Sequence, residues 1–139
     1  MERNRTTKPA PARRWRITAD TGGTFTDIVG CAPDGRIWTL KILSSGALRV
    51  RAAARGRRLL LERPLPAGGS IWTAFRASCI GRGSEHDIQV VAPDGSWIEL
   101  NTLVPDGTAI WELRSPWAAP VAGARLLLAR AGCPDAPFE

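Results

Sequence analysis

The chain has 139 residues, 44% hydrophobic and 23% charged, which excludes a wholly disordered polypeptide and fits one domain or one domain with a small insertion. No apolar run is long enough to span a bilayer as a helix. The formal net charge of +6 is uneven: residues 1–14 carry +4, residues 49–63 carry +5 and the remainder −3, so two basic runs, not a basic domain, make the balance.

Residues 1–14 are rich in Pro, Arg and Thr without periodicity and read as a disordered basic tail. Alternation of apolar and polar residues from Trp15 to Asp20 predicts a first strand, followed by a Gly-Gly turn. Asp27–Cys31 reads as a second strand and Ile37–Leu43 as a third, joined by the tight turn Pro33-Asp34-Gly35. Short connections make these three an antiparallel meander.

Residues 47–114 are less regular, with short apolar runs at Leu48–Ala52, Arg58–Leu61, Ala74–Ile80, Ile88–Val91, Trp97–Leu100 and Ala109–Leu113. Gly/Pro turns separate them, which predicts a small β-barrel or curled sheet without a long helix. One helix follows near 117–131, with Ser115 as candidate N-cap, Val121, Ala124, Leu127, Leu128 and Ala131 at helical spacing, and Gly132 as its stop. The expected fold class is therefore α+β and mostly β.

The segment Asp27–Leu40 aligns without gaps to Asp87–Leu100, with seven of fourteen positions identical. Shared turn chemistry explains this echo. Only the first copy is preceded by a Gly-rich threonine loop, so the second serves as an internal control for that loop.

Cys31, Cys79 and Cys133 lie far apart and the chain has a single histidine, His86, so a Cys/His zinc site of ordinary spacing is excluded. Free thiols and the lack of a secretory signal point to the cytoplasm. His86 reads as a polar surface residue, since no Ser, Cys or Asp constellation points to it. The six tryptophans, Trp15, Trp38, Trp72, Trp97, Trp111 and Trp117, read as core and rim packing.

The chemically informative segment is Asp20-Thr21-Gly22-Gly23-Thr24-Phe25-Thr26-Asp27. Gly22 and Gly23 remove side chains so that backbone N–H groups can approach an anion, and Thr24 and Thr26 add hydroxyls. Asp20 would repel phosphate unless a cation lay between them, and Mg²⁺ is the natural bridge. No Gly-Lys-Ser/Thr is present and no helix follows, so this is not a Walker A loop.

Residues 15–45, through this motif, Pro33-Asp34-Gly35 and the Lys41–Ser45 segment, resemble the N-terminal region of the hydantoinase A/5-oxoprolinase family. That family belongs to the actin/hexokinase/Hsp70-like ATPase superfamily. A second similarity lies in Trp111–Pro116 and Ala119–Leu128, where Trp117 and Ala118 stand in place of the family's acidic pair. The two stretches cover under half the chain and bracket the β-rich module.

The resemblance implies a domain over residues 15–139 with residues 47–110 inserted, the meander being part of a ribonuclease H-like, actin-like ATPase lobe. It implies ATP and Mg²⁺ as cofactors, with Asp20 orienting the metal through water. It places Thr21, Gly22, Gly23 and Thr24 about the phosphates, Thr26 and Asp27 in the network that holds the hairpin, and Lys41 on the third strand as a further contact. The implied reaction is ATP-dependent opening of a cyclic amide, 5-oxoproline or a hydantoin. The family's later Thr-Asn segment, second phosphate motif and adenosine motif do not occur before Glu139. The expectation is accordingly an N-terminal lobe from a truncated or split reading frame, inactive alone, whose partners are the remaining lobes of the enzyme, on a separate downstream polypeptide.

The competing expectation is a small β-domain that binds a protein or single-stranded nucleic acid without catalysis. Arg49, Arg51, Arg55, Arg57, Arg58 and Arg63, with Trp72 and Phe75 nearby, are the residues such a module would use. The run is short and has no interleaved aromatics, and the module around it is neutral to acidic, so a solvated strand face is the preferred reading.

Overall fold

The computed structural model describes residues 14–139; the expected tail, up to residue 13, lies outside the described residues. Three antiparallel strands come first: β1 (Arg16–Thr21), β2 (Phe25–Cys31) and β3 (Ile37–Leu43), in the order β1-β2-β3. Along β2 the period of two is clean: Thr26, Ile28 and Gly30 are buried while Phe25, Asp27 and Val29 are exposed.

A closed six-stranded antiparallel barrel follows, built from β4 (Ala47–Arg55), β5 (Arg58–Leu61), β6 (Arg76–Cys79), β7 (Glu85–Val91), β8 (Trp97–Leu100) and β9 (Gly107–Arg114). The order around it is β4-β5-β8-β7-β6-β9, with β9 pairing back to β4. Inward positions are apolar, among them Ala52, Ala54, Leu59, Ala77, Ile88, Ile98, Leu100 and Leu113. Six strands enclose little space, and alanines on β4 and β6 leave room for Trp111 and the larger aliphatics. The 62–75 connection carries a short 3-10 helix, Ser70–Ala74, whose Trp72 is fully buried. The Trp72 indole N–H donates to the Ala67 carbonyl at 2.6 Å, so its burial leaves no unpaired donor.

The chain enters and leaves the barrel side by side. Ala47 pairs with Arg114, and the Ser115 N–H donates to the Gly46 carbonyl at 3.1 Å. A Cβ at Gly46 would lie 2.6 Å from the Trp117 carbonyl oxygen, so only glycine allows this approach. The barrel runs to Arg114, beyond the expected boundary at residue 110, because β9 continues its pairing with both β4 and β6 to that residue.

Helix α1 (Ala119–Arg130) covers one face of the meander. It begins later than Ser115 predicts. The Ser115 hydroxyl donates to the Trp117 carbonyl at 2.7 Å, folding a local turn, and Ala118 is the N-cap residue with Pro120 in the first turn. The stop is as expected: Gly132 has φ 82°, and the N–H groups of Gly132 and Cys133 donate to the Ala129 and Leu128 carbonyls in a Schellman arrangement. Val121 is exposed, whereas Ala119, Ala122, Gly123, Leu126 and Leu127 are buried. Of the expected stripe, Ala124, Leu127 and Leu128 are buried and Ala131 half-buried; Val121 alone falls outside it, because small and apolar residues occur on almost every side of this helix and close approach decides the face. A Cβ on Gly30 would sit 2.6 Å from Leu127 Cδ2, and one on Gly123 2.7 Å from Ile28 Cδ1.

After α1 the chain returns beside β1. Trp15 and Phe138 form a parallel bridge, the Ile17 N–H donates to the Glu139 carbonyl at 2.8 Å and the Glu139 N–H to the Trp15 carbonyl at 3.1 Å. Trp15, Trp72 and Trp111 are buried and Trp38, Trp97 and Trp117 half-buried, consistent with packing roles. Among the described residues the three cysteines are free, and no helix is long and apolar enough to cross a membrane.

Candidate functional site

The β1–β2 hairpin carries the motif. The Gly22 N–H donates to the Phe25 carbonyl at 2.9 Å, closing a two-residue loop of Gly23 and Thr24. The Gly22 amide is thereby engaged, while the Gly23 and Thr24 amides carry no hydrogen bond among the described residues. Neither Gly22 nor Gly23 has positive φ, and a Cβ at Gly23 would meet nothing within 4 Å. Neither backbone strain nor packing therefore requires glycine at residue 23. What glycine supplies there is an uncovered stretch of backbone.

A hydroxyl relay fixes the tip. Thr26 is fully buried, its Oγ1 lies 2.9 Å from Ser44 Oγ, and the Ser44 hydroxyl donates to the Gly22 carbonyl at 2.8 Å. Ser44 has one proton, which goes to Gly22, so Thr26 is the donor to Ser44. The Ser44 N–H also donates to the Thr24 carbonyl at 2.8 Å. Thr26 thus belongs to the hairpin's support. Ser44 had no assigned role in the sequence, and the contact is legible only once β3 brings the turn after Leu43 beneath the tip.

Register places Asp20 opposite Asp27, and Asp27 opposite Lys41, so the three side chains form a row on the open face of the sheet. Lys41 Nζ lies 3.8 Å from Asp27 Oδ1. Asp20 has no ion-pair partner among the described residues. Two carboxylates directly opposite on a sheet repel, and Lys41 relieves only the Asp27 side. Thr21, opposite Thr26, belongs to the other face. Of the expected site residues, the structure puts Gly23 and Thr24 at the exposed tip, turns Thr26 inward, and sets Asp20, Asp27 and Lys41 in one row across the open face below that tip.

Chemically, the tip offers two successive backbone donors and a threonine hydroxyl, with an unpaired carboxylate on the adjoining strand. A phosphate-sized anion fits the donors, and a hydrated divalent cation fits Asp20, needing only one or two carboxylates and water. Among the described residues no three His, Cys, Asp or Glu side chains are grouped to hold a metal by themselves.

Asp27 and Lys41 also line a groove of about 860 Å³ between the sheet and the barrel. Gly22, Gly23, Thr24 and Asp20 lie outside it. Half of the arginine run is paired: Arg49 with Glu112 at 3.4 Å, Arg51 with Glu62 at 3.5 Å and Arg58 with Glu99 at 3.3 Å. Trp72 and Phe75 are core residues, 4.7 Å apart centroid to centroid, and so are not available for base stacking as the nucleic-acid reading required. His86 is half-buried with its ring 6.1 Å from that of Trp111.

No protein-family model matches this chain, and neither does any curated protein or solved structure.

Proposed function

We propose that the chain is the N-terminal lobe of an ATP-dependent cyclic-amide hydrolase of the hydantoinase/5-oxoprolinase type, with the β1–β2 hairpin as its first phosphate-binding loop. The observation that carries this reading is Gly23: glycine stands where neither φ nor packing asks for it, beside two free amides and an unpaired aspartate. The antiparallel meander, its covering helix and the abutting ends of the barrel support an actin-like ATPase lobe with the barrel inserted.

In this reading Gly23 and Thr24 present N–H groups to the phosphate chain, and Gly22 contributes by lacking a side chain. Asp20 would help to hold Mg²⁺, which would supply charge neutralisation to the phosphates, and the Thr26–Ser44–Gly22 relay holds the tip in place. Asp27 and Lys41 balance charge on the sheet face. When bound, ATP would transfer its γ-phosphoryl group to the amide oxygen and leave as ADP, so that water can open the activated ring and release phosphate. Adenine and the cyclic amide would be held by the enzyme's remaining lobes. Phosphoryl transfer depends on positioning from both sides, so this chain alone has no turnover.

The test is kinetic. With the missing lobes supplied, Mg²⁺-dependent turnover of 5-oxoproline or a hydantoin appears, and Asp20→Ala lowers it by roughly 30- to 1000-fold. Asp94→Ala, in the echoed hairpin, leaves it near the parent rate. Equal losses for the two variants, or turnover by this chain alone, would refute the assignment.

A further inference from the structure

We propose that the cleft between β3 and β4 receives an acidic, extended polypeptide segment, which adds to the sheet as a strand beside β3. β3 is an edge strand. The bonds from the Ser44 N–H to the Thr24 carbonyl and from the Ala32 N–H to the Arg36 carbonyl fix the alternation along β2 and β3. Trp38, Leu40 and Ile42 therefore bond toward β2, and Ile37, Thr39, Lys41 and Leu43 turn their backbone groups outward. Gly46 donates to the Leu43 carbonyl, and Arg130 Nη1 reaches the Thr39 carbonyl at 3.2 Å. Among the described residues, the Thr39 and Lys41 N–H groups and the Lys41 carbonyl carry no hydrogen bond.

The turn at residues 44–46 sends β4 away from this edge, so the two strands bound a wedge of about 860 Å³. Its lining includes Val29, Leu48, Val50 and Leu65, an apolar strip suited to alternate side chains of an added strand. Its charge is one-sided. Lys41, Arg49, Arg51, Arg63 and Arg130 line it against Asp27 and Glu62. Asp27 answers Lys41 and Glu62 answers Arg51, while Arg49 shares Glu112 with Arg114. Arg63 and Arg130 face no carboxylate within ion-pair range among the described residues.

A lysine on an edge strand commonly blocks unwanted pairing. One charge suffices for that. Cations converging from β3, β4, the loop after β5 and the end of α1 exclude basic segments and admit acidic ones. Phosphate recognition at the β1–β2 tip is independent of this cleft, since the tip residues do not line it.

The test is an amide chemical-shift titration of the whole chain with a blocked hexapeptide alternating Glu and Val. The expected result is saturable movement of the Thr39, Lys41 and Val50 amides, with affinity falling several-fold when salt rises from about 50 to 300 mM. Arg63→Glu, at an exposed position whose fold is checked by thermal melting, should weaken binding about tenfold. A peptide N-methylated at alternate residues, which cannot complete the ladder, should also lose about tenfold. Equal binding of a Lys/Val peptide or of the N-methylated peptide would overturn the proposal. So would stronger displacement of the same amides by pyrophosphate or by a thymidine oligonucleotide, which would assign the cleft to a small anion or to nucleic acid.

Discussion

The hairpins β2–β3 and β7–β8 share half their sequence and close differently. In the first, the Ala32 N–H donates to the Arg36 carbonyl; in the second, the Ala92 N–H donates one residue farther on, to the Trp97 carbonyl. Both begin with the same turn, Gly35 donating to Ala32 and Gly95 to Ala92, each glycine at positive φ. The extra loop residue is Ser96, whose carbonyl is taken by the Leu61 N–H of β5. A bulge between Ile88 and Val90 then restores the pairing, so Ile88 meets Leu100 as Ile28 meets Leu40. The lesson is that the turn motif fixes the turn, while the neighbouring strand fixes the register. No barrel strand pairs with the first hairpin among the described residues; it has α1 on one face and a glycine-rich loop before it.

Exchanging equivalent residues should break this comparison most severely at residues 30 and 90. Gly30→Val imports the side chain of the second copy, and its Cβ meets Leu127, which is fully buried. Denaturant unfolding should show a loss of about 2 kcal/mol or more. Val90→Gly, at an exposed strand position, should cost about 0.5–1 kcal/mol, the ordinary penalty of glycine in a strand. Equal costs would mean that α1 does not rest on Gly30.

Next is the relay under the tip. Thr26→Val keeps shape and removes one buried donor, so it should cost about 1 kcal/mol. Ser44→Ala should cost about as much, and the double variant less than the sum, because the two share one hydrogen bond. The equivalent residue in the second copy, His86, has no such partner, and additivity at Thr26 and Ser44 would dissolve the difference.

The smallest effect belongs to the second turn. The Ser96 hydroxyl, at 2.6 Å, and then its N–H, at 3.0 Å, donate to Asp94 Oδ1 and hold this carboxyl below its ordinary range. A depressed carboxyl adds stability that is present above its unfolded pKa and is lost as pH falls through the folded one. Ser96→Ala should raise the Asp94 midpoint toward the ordinary carboxylate value, read by carboxyl carbon NMR. Asp94→Ala should shift the denaturant midpoint less than Thr26→Val does.

Much of the fold was legible because its signals are local. Pro-Asp-Gly turns and short apolar runs such as Trp97–Leu100 and Arg58–Leu61 mark strands whatever surrounds them. The turn-separated runs pointed to a barrel or a curled sheet, and the barrel is what forms; which strands close it was not legible, since β9 finds β4 and β6 across the chain through pairing that no short pattern encodes. The buried face of α1 was misread at Val121 because glycine contacts, not hydrophobic periodicity, set its rotation. At the site, the glycines and Asp20 stood out by residue type, whereas Ser44, Arg63 and Arg130 matter through positions that only the folded chain brings together.

Amide shifts on titration with magnesium pyrophosphate test most directly whether Gly23 and Thr24 donate to phosphate with Asp20 holding the metal. At about 10 mM ligand, even a site worth only about 3 kcal/mol is half filled. The Gly23 and Thr24 amides should move saturably when Mg²⁺ and pyrophosphate are present together, and Asp20→Ala should abolish the Mg²⁺ dependence. Gly95 and Ser96, in the turn of the echoed hairpin, should not move. Still amides at Gly23 and Thr24, or equal movement in both hairpins, would contradict the claim.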